Sequence, residues 1–245
     1  MAREPRRPDT PFWVEAGNVH GERLTLDPDE SHHLLHVFRA APGARFEAID
    51  GEGHLYRCLL DSAERELAVG RIESISEGDG ELPVPIYLLV GLPDPGPAEA
   101  IVEHAVPLGV ARIDLAVATR SGRQALEAKR LARLDRIARS ALKQSRRTRL
   151  PEIRSSPSVE VGVAALPYGG LRLVAQEDGA ARMDCPPAGV QGVVALAVGP
   201  PGGFVEWELG VLRGAEFLPI SLGPSRLTTE TASISLLAIA RNYIL

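Results

Sequence analysis

Two turns rich in glycine and proline contain the residue types that let a ligand approach the backbone most closely. The first, Gly199-Pro200-Pro201-Gly202-Gly203, follows the apolar run VVALAV and precedes a predicted helix that begins near Val205. Glycines between a buried strand and a helix leave backbone groups uncovered, so a ligand could contact them there. The run is neither a GxGxxG fingerprint nor a P-loop, because no GK[ST] follows. A ligand-binding loop and a plain tight turn both explain it.

A second turn, Leu222-Gly223-Pro224, lies between the predicted strand FLPISLG and the threonine-rich start of an apolar C-terminal helix. Thr228 or Thr229 can cap that helix, and Glu230 lies where a carboxylate interacts favourably with the positive end of the helix dipole. These residues therefore also have a purely structural explanation. If the two turns lie side by side, they would flank one pocket.

Residues 120–154 concentrate positive charge. They contain twelve lysines and arginines against three acidic residues, a net charge of +9, whereas the whole chain of 245 residues has a net charge of -5, which leaves about -14 for the remainder. A helix predicted from Gln124 to Arg146 would turn its apolar side chains inward, namely Leu131, Leu134, Ala138, Ala141 and Leu142. The basic residues of the segment are Arg120, Arg123, Lys129, Arg130, Arg133, Arg136, Arg139, Lys143, Arg146, Arg147, Arg149 and Arg154.

This uneven charge favours local binding of RNA. A dense positive field holds phosphates and releases their counterions, although a sequence pI of about 5.7 is not typical of a nucleic-acid-binding protein. The segment contains no aromatic residue that could stack on a base, so its contacts would be mostly to the RNA backbone. A solvated helix face explains such a charge run equally well.

The elements that precede the basic segment indicate a small β-rich domain. Residues 1–20 are interpreted as a flexible basic arm and residues 21–80 as the domain itself. Within it, DESHHLLHVFR predicts a short helix capped by Asp29 or Ser31, and Asp50-Gly51-Glu52-Gly53 predicts a hairpin turn. No carboxylate or cysteine completes a ligand set for the histidines of that helix, so we expect no metal site.

From residue 81 to residue 245, strands and helices alternate. The turn-rich stretch EGDGELPVP precedes the strand PIYLLVG, a helix near residues 98–108, the strand RIDLAVA and the long helix. The strands LRLVA and GVVALAVG, a helix, the strand FLPISLG and the final helix follow. This alternation predicts an α/β domain with a parallel sheet, and continuous apolar strands such as VVALAV indicate burial on both faces.

The cysteines and the hydropathy pattern bear on the cellular setting. Cys58 and Cys185 lack the spacing of a metal knuckle or a redox pair, so a reducing compartment is expected. No apolar run is long enough to cross a bilayer, and no apolar core follows the N-terminal arginines as in a signal peptide. The expected location is the cytoplasm, without membrane contact.

The motif GPPGGF, followed some twenty residues later by SLGPSRLTTETA, resembles the C-terminal signature of the ribosomal RNA small subunit methyltransferase E family. The resemblance extends through HHLLHVFR, DGEGHLYR, PLGVARIDLAVATRS and ALKQSRRTRLPEI in the family's usual order. It implies an N-terminal PUA-like β-barrel joined to a C-terminal SPOUT α/β domain. In the SPOUT domain the last segment would form a trefoil knot, a rare exception to normal topology.

The resemblance also implies an activity and a site. The expected reaction is S-adenosylmethionine-dependent methylation of a uridine at N3 in 16S rRNA of the small ribosomal subunit, by a homodimer and without a metal. The residues that match catalytic positions are Arg120, Gln144, Arg147 and Glu230. The cofactor would be bound by the two turns through Leu196, Val198, Gly199, Gly202, Gly203, Ser221, Leu222, Gly223, Arg226 and Leu227. The residues assigned to RNA binding are Arg39, Arg123, Lys129, Arg133, Arg136, Lys143, Arg146 and Arg149.

The chain departs from the family pattern where the family usually has charge. Loss of a positive group near the target base would remove electrostatic stabilisation of the transition state. The alternative hypothesis is therefore a weakened or inactive family member that acts as an RNA-binding or ribosome-assembly protein. A nucleotide-binding domain of a metabolic enzyme is a third reading, which the lack of a dinucleotide fingerprint disfavours. The changed positions are His104 for lysine, Pro107 and Pro201 for glutamate, Ser225 and Thr228 for arginine, and Lys143-Gln144-Ser145-Arg146 for EQSG.

Overall fold

A computed structural model of the chain describes residues 9–64, 66–122, 126–177 and 192–244, without the side chain of Glu64. The chain divides into two compact units. The first consists of residues 1–81 and 139–150, and the second of residues 82–138 and 151–245. The second domain predicted from the sequence, residues 81–245, is therefore interrupted, because the end of the long helix and the segment after it belong to the first unit.

The first unit contains a six-stranded sheet. Its strands are β1 (Phe12–Trp13), β2 (Val19–His20), β3 (Arg23–Thr25), β4 (Arg45–Ile49), β5 (His54–Glu64) and β6 (Leu67–Glu77). Their order is β1-β4-β5-β6-β3-β2. All neighbours are antiparallel except β1 and β4, which run parallel. The hairpin turn predicted at residues 50–53 is confirmed, because it connects β4 to β5.

The flexible arm predicted over residues 1–20 is wrong from residue 12 onward. Phe12 is 2% exposed, and its ring makes edge contacts with Phe38 and Phe46 at centroid distances of 6.0 and 5.9 Å. Aromatic side chains of this size stabilise a core strongly when they are buried. The segment that contains β1 is therefore part of the first unit's core. Residues 1–8 of the predicted arm lie outside the described residues.

The helix predicted in DESHHLLHVFR is present as α1 (Pro28–His32), continued by a π-helical turn over His33–Val37. Its cap is Asp27, whose carboxylate accepts a hydrogen bond from the Glu30 N–H at 2.8 Å, so the predicted caps Asp29 and Ser31 were wrong. Ser31 is buried instead and bridges the Leu26 carbonyl and the Ala68 N–H. Across the described ranges, no group of three or more histidine, cysteine or acidic residues is arranged to hold a metal.

The second unit contains six parallel strands, which confirms the predicted parallel sheet. They are β7 (Ile86–Gly91), β8 (Val110–Ala116), β9 (Glu152–Ser156), β10 (Leu171–Ala175), β11 (Val194–Val198) and β12 (Leu218–Ile220), in the order β12-β10-β11-β7-β8-β9. The helices are α2 (Pro95–Ala105), α3 (Ala128–Ser145), α4 (Val159–Ala164), α5 (Glu206–Gly214) and α6 (Thr229–Asn242). Strand β9 and helix α4 were not predicted from the sequence. Both are short, and β9 is an edge strand with mostly exposed polar residues.

The central strands are buried on both faces, as their apolar runs predicted. Leu88 and Leu89 are consecutive in β7 and point to opposite faces, yet both are fully buried. One face packs against α4 and α5 through Val159 and Leu212. Helix α6 contacts β7 and β11 and packs against α2. None of the helices within the described ranges has both the length and the apolar character needed to span a bilayer.

The long helix α3 has the two faces that its periodicity predicted. Its buried residues are Leu134, Ala138, Ala141 and Leu142, whereas Leu131 is only partly buried. The helix begins four residues later than predicted, and Gln124 lies outside the described residues. Its first half belongs to the second unit and its second half to the first.

Candidate active site

The candidate site of the second unit lies where its strands end. The carboxyl ends of parallel strands share one edge of a sheet, and ligands of open α/β sheets bind outside that edge. The loops that follow β8, β11 and β12 all leave the sheet there. Both glycine-rich turns identified in the sequence belong to this set.

The turn after β11 requires its glycines. A side chain on Gly199 would place Cβ 2.7 Å from the Phe204 nitrogen and 2.8 Å from the Gly203 Cα, so this position has no room for one. Gly202 and Gly203 have φ values of +94° and +76°, in the left-handed region that favours glycine. The Gly203 N–H closes the turn on the Pro200 carbonyl at 2.7 Å. An added Cβ at Gly203 would meet no heavy atom within 4 Å, so the backbone there is uncovered.

The turn after β12 meets the first turn through a threonine. Thr229, in the first turn of α6, donates its buried hydroxyl to the Gly199 carbonyl at 3.1 Å. Thr228 is the helix cap and accepts from the Thr231 N–H, so the cap predicted at Thr228 or Thr229 is confirmed at Thr228. Gly223 has a φ of +121°, and its N–H lies 3.3 Å from the Ser221 hydroxyl.

Arg120 also reaches the first turn. It lies in a tight turn closed by the Ser121 N–H on the Ala118 carbonyl at 2.9 Å and by the Ala118 N–H on the Ser121 hydroxyl at 3.0 Å. The Arg120 side chain is exposed, and its Nη1 donates to the carbonyl of Gly202. A permanent positive charge is thus held beside the uncovered backbone of the turn after β11.

Glu208 is a residue of this region that the sequence analysis missed. It is fully buried, and its Oε1 accepts from the Thr119 N–H at 2.6 Å and from the Thr119 hydroxyl at 3.0 Å. Its Oε2 accepts from the Val205 N–H at 2.8 Å. An acidic residue at the third position of a helix was the available signal, because it can bond the backbone of the N-cap residue.

The remaining predicted cofactor residues occupy different environments. Leu196 lies inside β11 and is fully buried between β7 and β10, so we leave it out of the candidate site. Val198 ends the same strand and is 3% exposed. Leu222 and Leu227 are half-buried in the turn after β12. Arg226 is exposed and pairs with Glu177 at 3.2 Å.

The four predicted catalytic residues do not form one cluster in either unit. Arg120 and Glu230 belong to the second unit, and Gln144 and Arg147 to the first. Glu230 is half-buried and follows Thr229 directly, whereas Gln144 is exposed at the end of α3. The side chain of Arg147 is 4% exposed, and its Nη2 lies 2.6 Å from Glu81 Oε2. The guanidinium therefore has at least a structural role, and its catalytic assignment stays a prediction.

Carboxylates neutralise much of the basic segment, which counting charges along the sequence did not reveal. In the first unit, Lys143 binds Glu30, and its side chain is only 26% exposed, so its assignment to RNA binding stays a prediction with a competing carboxylate. Arg146 binds Glu47 at 2.8 Å but remains 61% exposed. In the second unit, Arg133 makes two hydrogen bonds to Glu99 at 2.6 and 2.8 Å. Further pairs are Arg139 with Glu15, Arg147 with Glu81 and Arg154 with Glu152.

Some of the basic residues predicted to bind RNA are not neutralised by any described carboxylate and remain available to phosphates. Among the residues that the structure describes, Lys129, Arg136 and Arg149 are exposed and form no ion pair with a carboxylate. Arg39 is exposed too and has a left-handed φ of +57°. Arg123 lies outside the described residues. The surface available to phosphates is therefore smaller than the charge of the segment suggested.

The turn at residues 50–53 in the first unit contains a buried carboxylate. Asp50 is 5% exposed and accepts hydrogen bonds from the Glu52 N–H at 2.8 Å and the Tyr56 hydroxyl at 2.9 Å. His54 Nδ1 lies 2.6 Å from Asp50 Oδ2. Burial alone would raise the pKa of Asp50, but these hydrogen bonds outweigh it, and the pKa is lowered. Burial and the Asp50 charge raise the pKa of Tyr56.

Comparison with known proteins identifies both units. A model of the RNA methyltransferase domain matches residues 80–241, and a model of the RNA methyltransferase PUA domain matches residues 26–77. The chain is 32% identical over 235 residues to the ribosomal RNA small subunit methyltransferase E of Mycobacterium bovis, covering 91% of this chain and 87% of that protein. The corresponding protein of Bacillus subtilis is 25% identical, with 86% of each chain covered.

Solved structures agree. The chain superposes with a TM-score of 0.82 on the ribosomal RNA small subunit methyltransferase E of Neisseria gonorrhoeae, described as bound to S-adenosyl methionine; identity is 26%, and 95% of this chain and 97% of that chain are covered. A methyltransferase of Legionella pneumophila in complex with the same cofactor gives the same TM-score and identity over 97% and 98% of the chains. The predicted fold class, a PUA-like domain followed by a SPOUT-type α/β domain, is confirmed, and the trefoil knot stays a prediction. By sequence and by structure, this chain belongs to the ribosomal RNA small subunit methyltransferase E family.

Proposed function

We propose that this chain transfers the methyl group of S-adenosylmethionine to N3 of a uridine in 16S rRNA of the small ribosomal subunit. One observation carries the proposal: Arg120 and Thr229 both hydrogen-bond to the glycine turn that follows β11, on Gly202 and Gly199. A positive side chain and an uncovered backbone thus meet at the strand edge where such folds bind ligands. The cofactor-bound relatives in the family support the choice of methyl donor.

The two turns fit a nucleoside cofactor. The uncovered backbone at Gly203 and Gly223, where a side chain would have open space around it, can be approached closely by a planar base or a ribose. When bound, S-adenosylmethionine supplies a methyl group on a positively charged sulfur. The residues that would hold it are Val198, Gly199, Gly202, Gly203, Ser221, Leu222, Gly223 and Leu227, with Arg226 at the rim.

Arg120 has the chemistry that the acceptor base requires. Methylation at N3 requires that uracil lose the N3 proton, and the negative charge that develops on the base is stabilised by a fixed positive group. A guanidinium group supplies such a positive charge and five N–H donors. Its hydrogen bond to Gly202 orients it before the base arrives, and preorganised charges of this kind are more effective than those that must reorient.

The RNA would be held by the basic residues that remain available. Lys129 and Arg136 in the second unit, and Arg39 and Arg149 in the first, are exposed and can neutralise phosphates. Arg133 and Arg146 would contribute only if RNA displaced Glu99 or Glu47. We further propose that the protein acts in the cytoplasm as a homodimer, as the family resemblance implies.

Methyl transfer can be measured directly. Purified protein and labelled S-adenosylmethionine are incubated with small ribosomal subunits from a strain that lacks the modification, and the label is mapped. The expected result is one labelled uridine with the methyl on N3, and a rate that Arg120→Ala lowers by about 100-fold or more. Tight cofactor binding without any transfer would refute the proposal.

The second candidate function is a weakened or inactive member that binds the small subunit without methylating it. Thr228 favours this reading, because the side chain at this family arginine position is used as the cap of α6 and brings no charge. Ser225 is exposed and also uncharged. The same experiment separates the two functions. Subunit binding with no labelled uridine supports the second.

A further inference from the structure

Glu208 has more hydrogen bonds than a helix cap needs. An acidic residue at the third position of a helix normally bonds the N-cap backbone from a solvated surface, and Oε2 of Glu208 does so with Val205. The other oxygen, Oε1, accepts two hydrogen bonds from Thr119, which lies 89 positions earlier in the chain. Since Glu208 is fully buried, both oxygens depend on these protein donors. Capping of α5 alone does not explain this arrangement.

The residue that Oε1 holds is the chain neighbour of Arg120. The Thr119 N–H and hydroxyl both donate to it, which fixes the backbone at the start of the turn that carries Arg120. The same carboxylate bonds Val205, three positions after Gly202, whose carbonyl accepts from the Arg120 guanidinium. Arg120 is therefore fixed at its backbone through Glu208 and at its side chain through Gly202.

We propose that Glu208 is a positioning residue for methyl transfer: it sets the place of Arg120 relative to the glycine turn that follows β11. This inference rests on the proposed function, because it assigns a role to Arg120 in the reaction. The carboxylate is fully buried, so in this proposal it acts through Arg120 and not on the reacting atoms. Its two oxygens accept hydrogen bonds from three protein donors.

Two variants test the role against a matched control. Glu208→Gln keeps the shape but turns an amide NH₂ toward one of the donors, and Thr119→Val removes only the hydroxyl contact. Glu206→Gln is the control, because Glu206 lies in the same helix, is 80% exposed and pairs only with Arg213 among described residues. We expect Glu208→Gln to lower kcat by about tenfold to 100-fold and Thr119→Val by a few-fold. In both variants the KM for S-adenosylmethionine should stay within about twofold of wild type. The control Glu206→Gln should keep its kcat within the same range.

A double-mutant cycle shows whether Glu208 acts through Arg120. In an Arg120→Ala background, Glu208→Gln should lower kcat no further, because the group that it positions is gone. Thr119→Ser should restore the rate lost in Thr119→Val. An equal drop in kcat for Glu208→Gln in both backgrounds would overturn the proposal, as would a wild-type kcat with only a lowered Tm.

Hydrogen exchange tests the positioning without any catalysis. In intact protein, exchange at the backbone amides of residues 118–121 should rise at least about tenfold in Glu208→Gln and stay unchanged in Glu206→Gln. Unchanged exchange in Glu208→Gln would refute the positioning role, even if the enzyme is active. If wild type transfers no methyl group yet exchange rises, the proposed function fails while the structural link from Glu208 to the Arg120 turn stands.

Discussion

Arg147 and Glu81 form a buried ion pair in the first unit, with Nη2 of the arginine 2.6 Å from Oε2 of the glutamate. The other carboxylate oxygen of Glu81 accepts from the backbone N–H groups of Thr148 and Arg149 at 2.9 and 2.8 Å. One carboxylate thus fixes both the side chain and the backbone of the segment after α3. A position that the family resemblance assigns to catalysis thus also holds the chain together in the first unit.

Removal of the Glu81 charge should destabilise the protein strongly. Glu81→Gln leaves the Arg147 guanidinium buried without its carboxylate, which costs about 3 kcal/mol. Urea unfolding at pH 7 measures the loss. Glu152→Gln is the matched control, because its pair with Arg154 is about half exposed on both sides, and exposed pairs contribute about 0–1 kcal/mol. Equal losses in the two variants would contradict the structural role of the Glu81 pair.

At position 146, glycine should be more stable than alanine. Arg146 follows the last residue of α3 with a φ of +60°, a conformation that costs a side chain about 1 kcal/mol and that glycine adopts freely. This conformation suits the glycine of the motif EQSG, which the family resemblance implies at this position, better than an arginine. Arg146→Gly and Arg146→Ala both lose the pair with Glu47, so their difference isolates the backbone. We expect Arg146→Gly to be about 1 kcal/mol more stable than Arg146→Ala in urea unfolding, and the reverse order would refute the explanation.

Asp50 should contribute to the acid sensitivity of the protein. Its pKa is lowered in the folded chain, so its stabilising effect is present above the ordinary aspartate pKa of about 4 and is lost as the pH falls through its folded value. Asp50→Asn should therefore be less stable than wild type at pH 7, and the difference should shrink as the pH falls below about 4. Urea unfolding between pH 3 and 7 checks this. A difference that is constant over this range would show that the charge of Asp50 is not what stabilises the turn.

Arg136 should contribute more to RNA binding than Arg133, although both lie on the exposed face of α3. The two hydrogen bonds from Arg133 to Glu99 must be given up before that guanidinium meets a phosphate. Arg136→Ala should weaken binding to small subunits and lower the slope of log affinity against log salt by about 1, whereas Arg133→Ala should change the slope little. Glu99→Gln should increase the affinity by freeing Arg133. If the slope of log affinity against log salt equals that of wild type in all three variants, this helix does not lie in the RNA interface.

Gly199 should tolerate no side chain. In Gly199→Ala the new Cβ would lie within 3 Å of the Phe204 nitrogen and the Gly203 Cα, so the turn must shift and lose its fit to the cofactor. We expect binding of S-adenosylmethionine to weaken by more than about tenfold in calorimetry. Gly210→Ala is the control, because a Cβ there meets only the end of Arg213 at 3.9 Å within α5 and alanine favours a helix. Normal cofactor binding by Gly199→Ala would place the cofactor elsewhere.

Local patterns along the chain predicted much of the fold. The parallel sheet, the turn at residues 50–53 and the inward face of α3 follow from apolar periodicity and turn residues, which are local signals. The edge strand β9 was not predicted, because its residues Glu152, Arg154 and Ser155 are polar and exposed and give no apolar pattern. The segment at Phe12 was misassigned since a strand of two residues has no periodicity to detect.

Pairing between distant residues was the part that the sequence could not reveal. Four carboxylates, on Glu15, Glu30, Glu47 and Glu81, bind basic side chains more than 60 positions away. A charge count registers these arginines and lysines as a surface for RNA, although their partners are already in the protein. For the same reason Glu208 was not found, because its function depends on Thr119, which is near it only in the folded chain.

The discontinuous first unit has a consequence for the order of folding. Residues 139–150 complete this unit and also supply the basic partners of the four glutamates. In this segment the Leu150 N–H bonds to the Gly51 carbonyl, and the Thr148 carbonyl accepts from the Gly53 N–H. A ribosome must therefore synthesise residue 150 before the β-rich unit of residues 9–81 can acquire its complete set of bonds. Residues 82–138 of the second unit are synthesised between the two parts of the first unit, so the two units cannot complete their folding strictly one after the other.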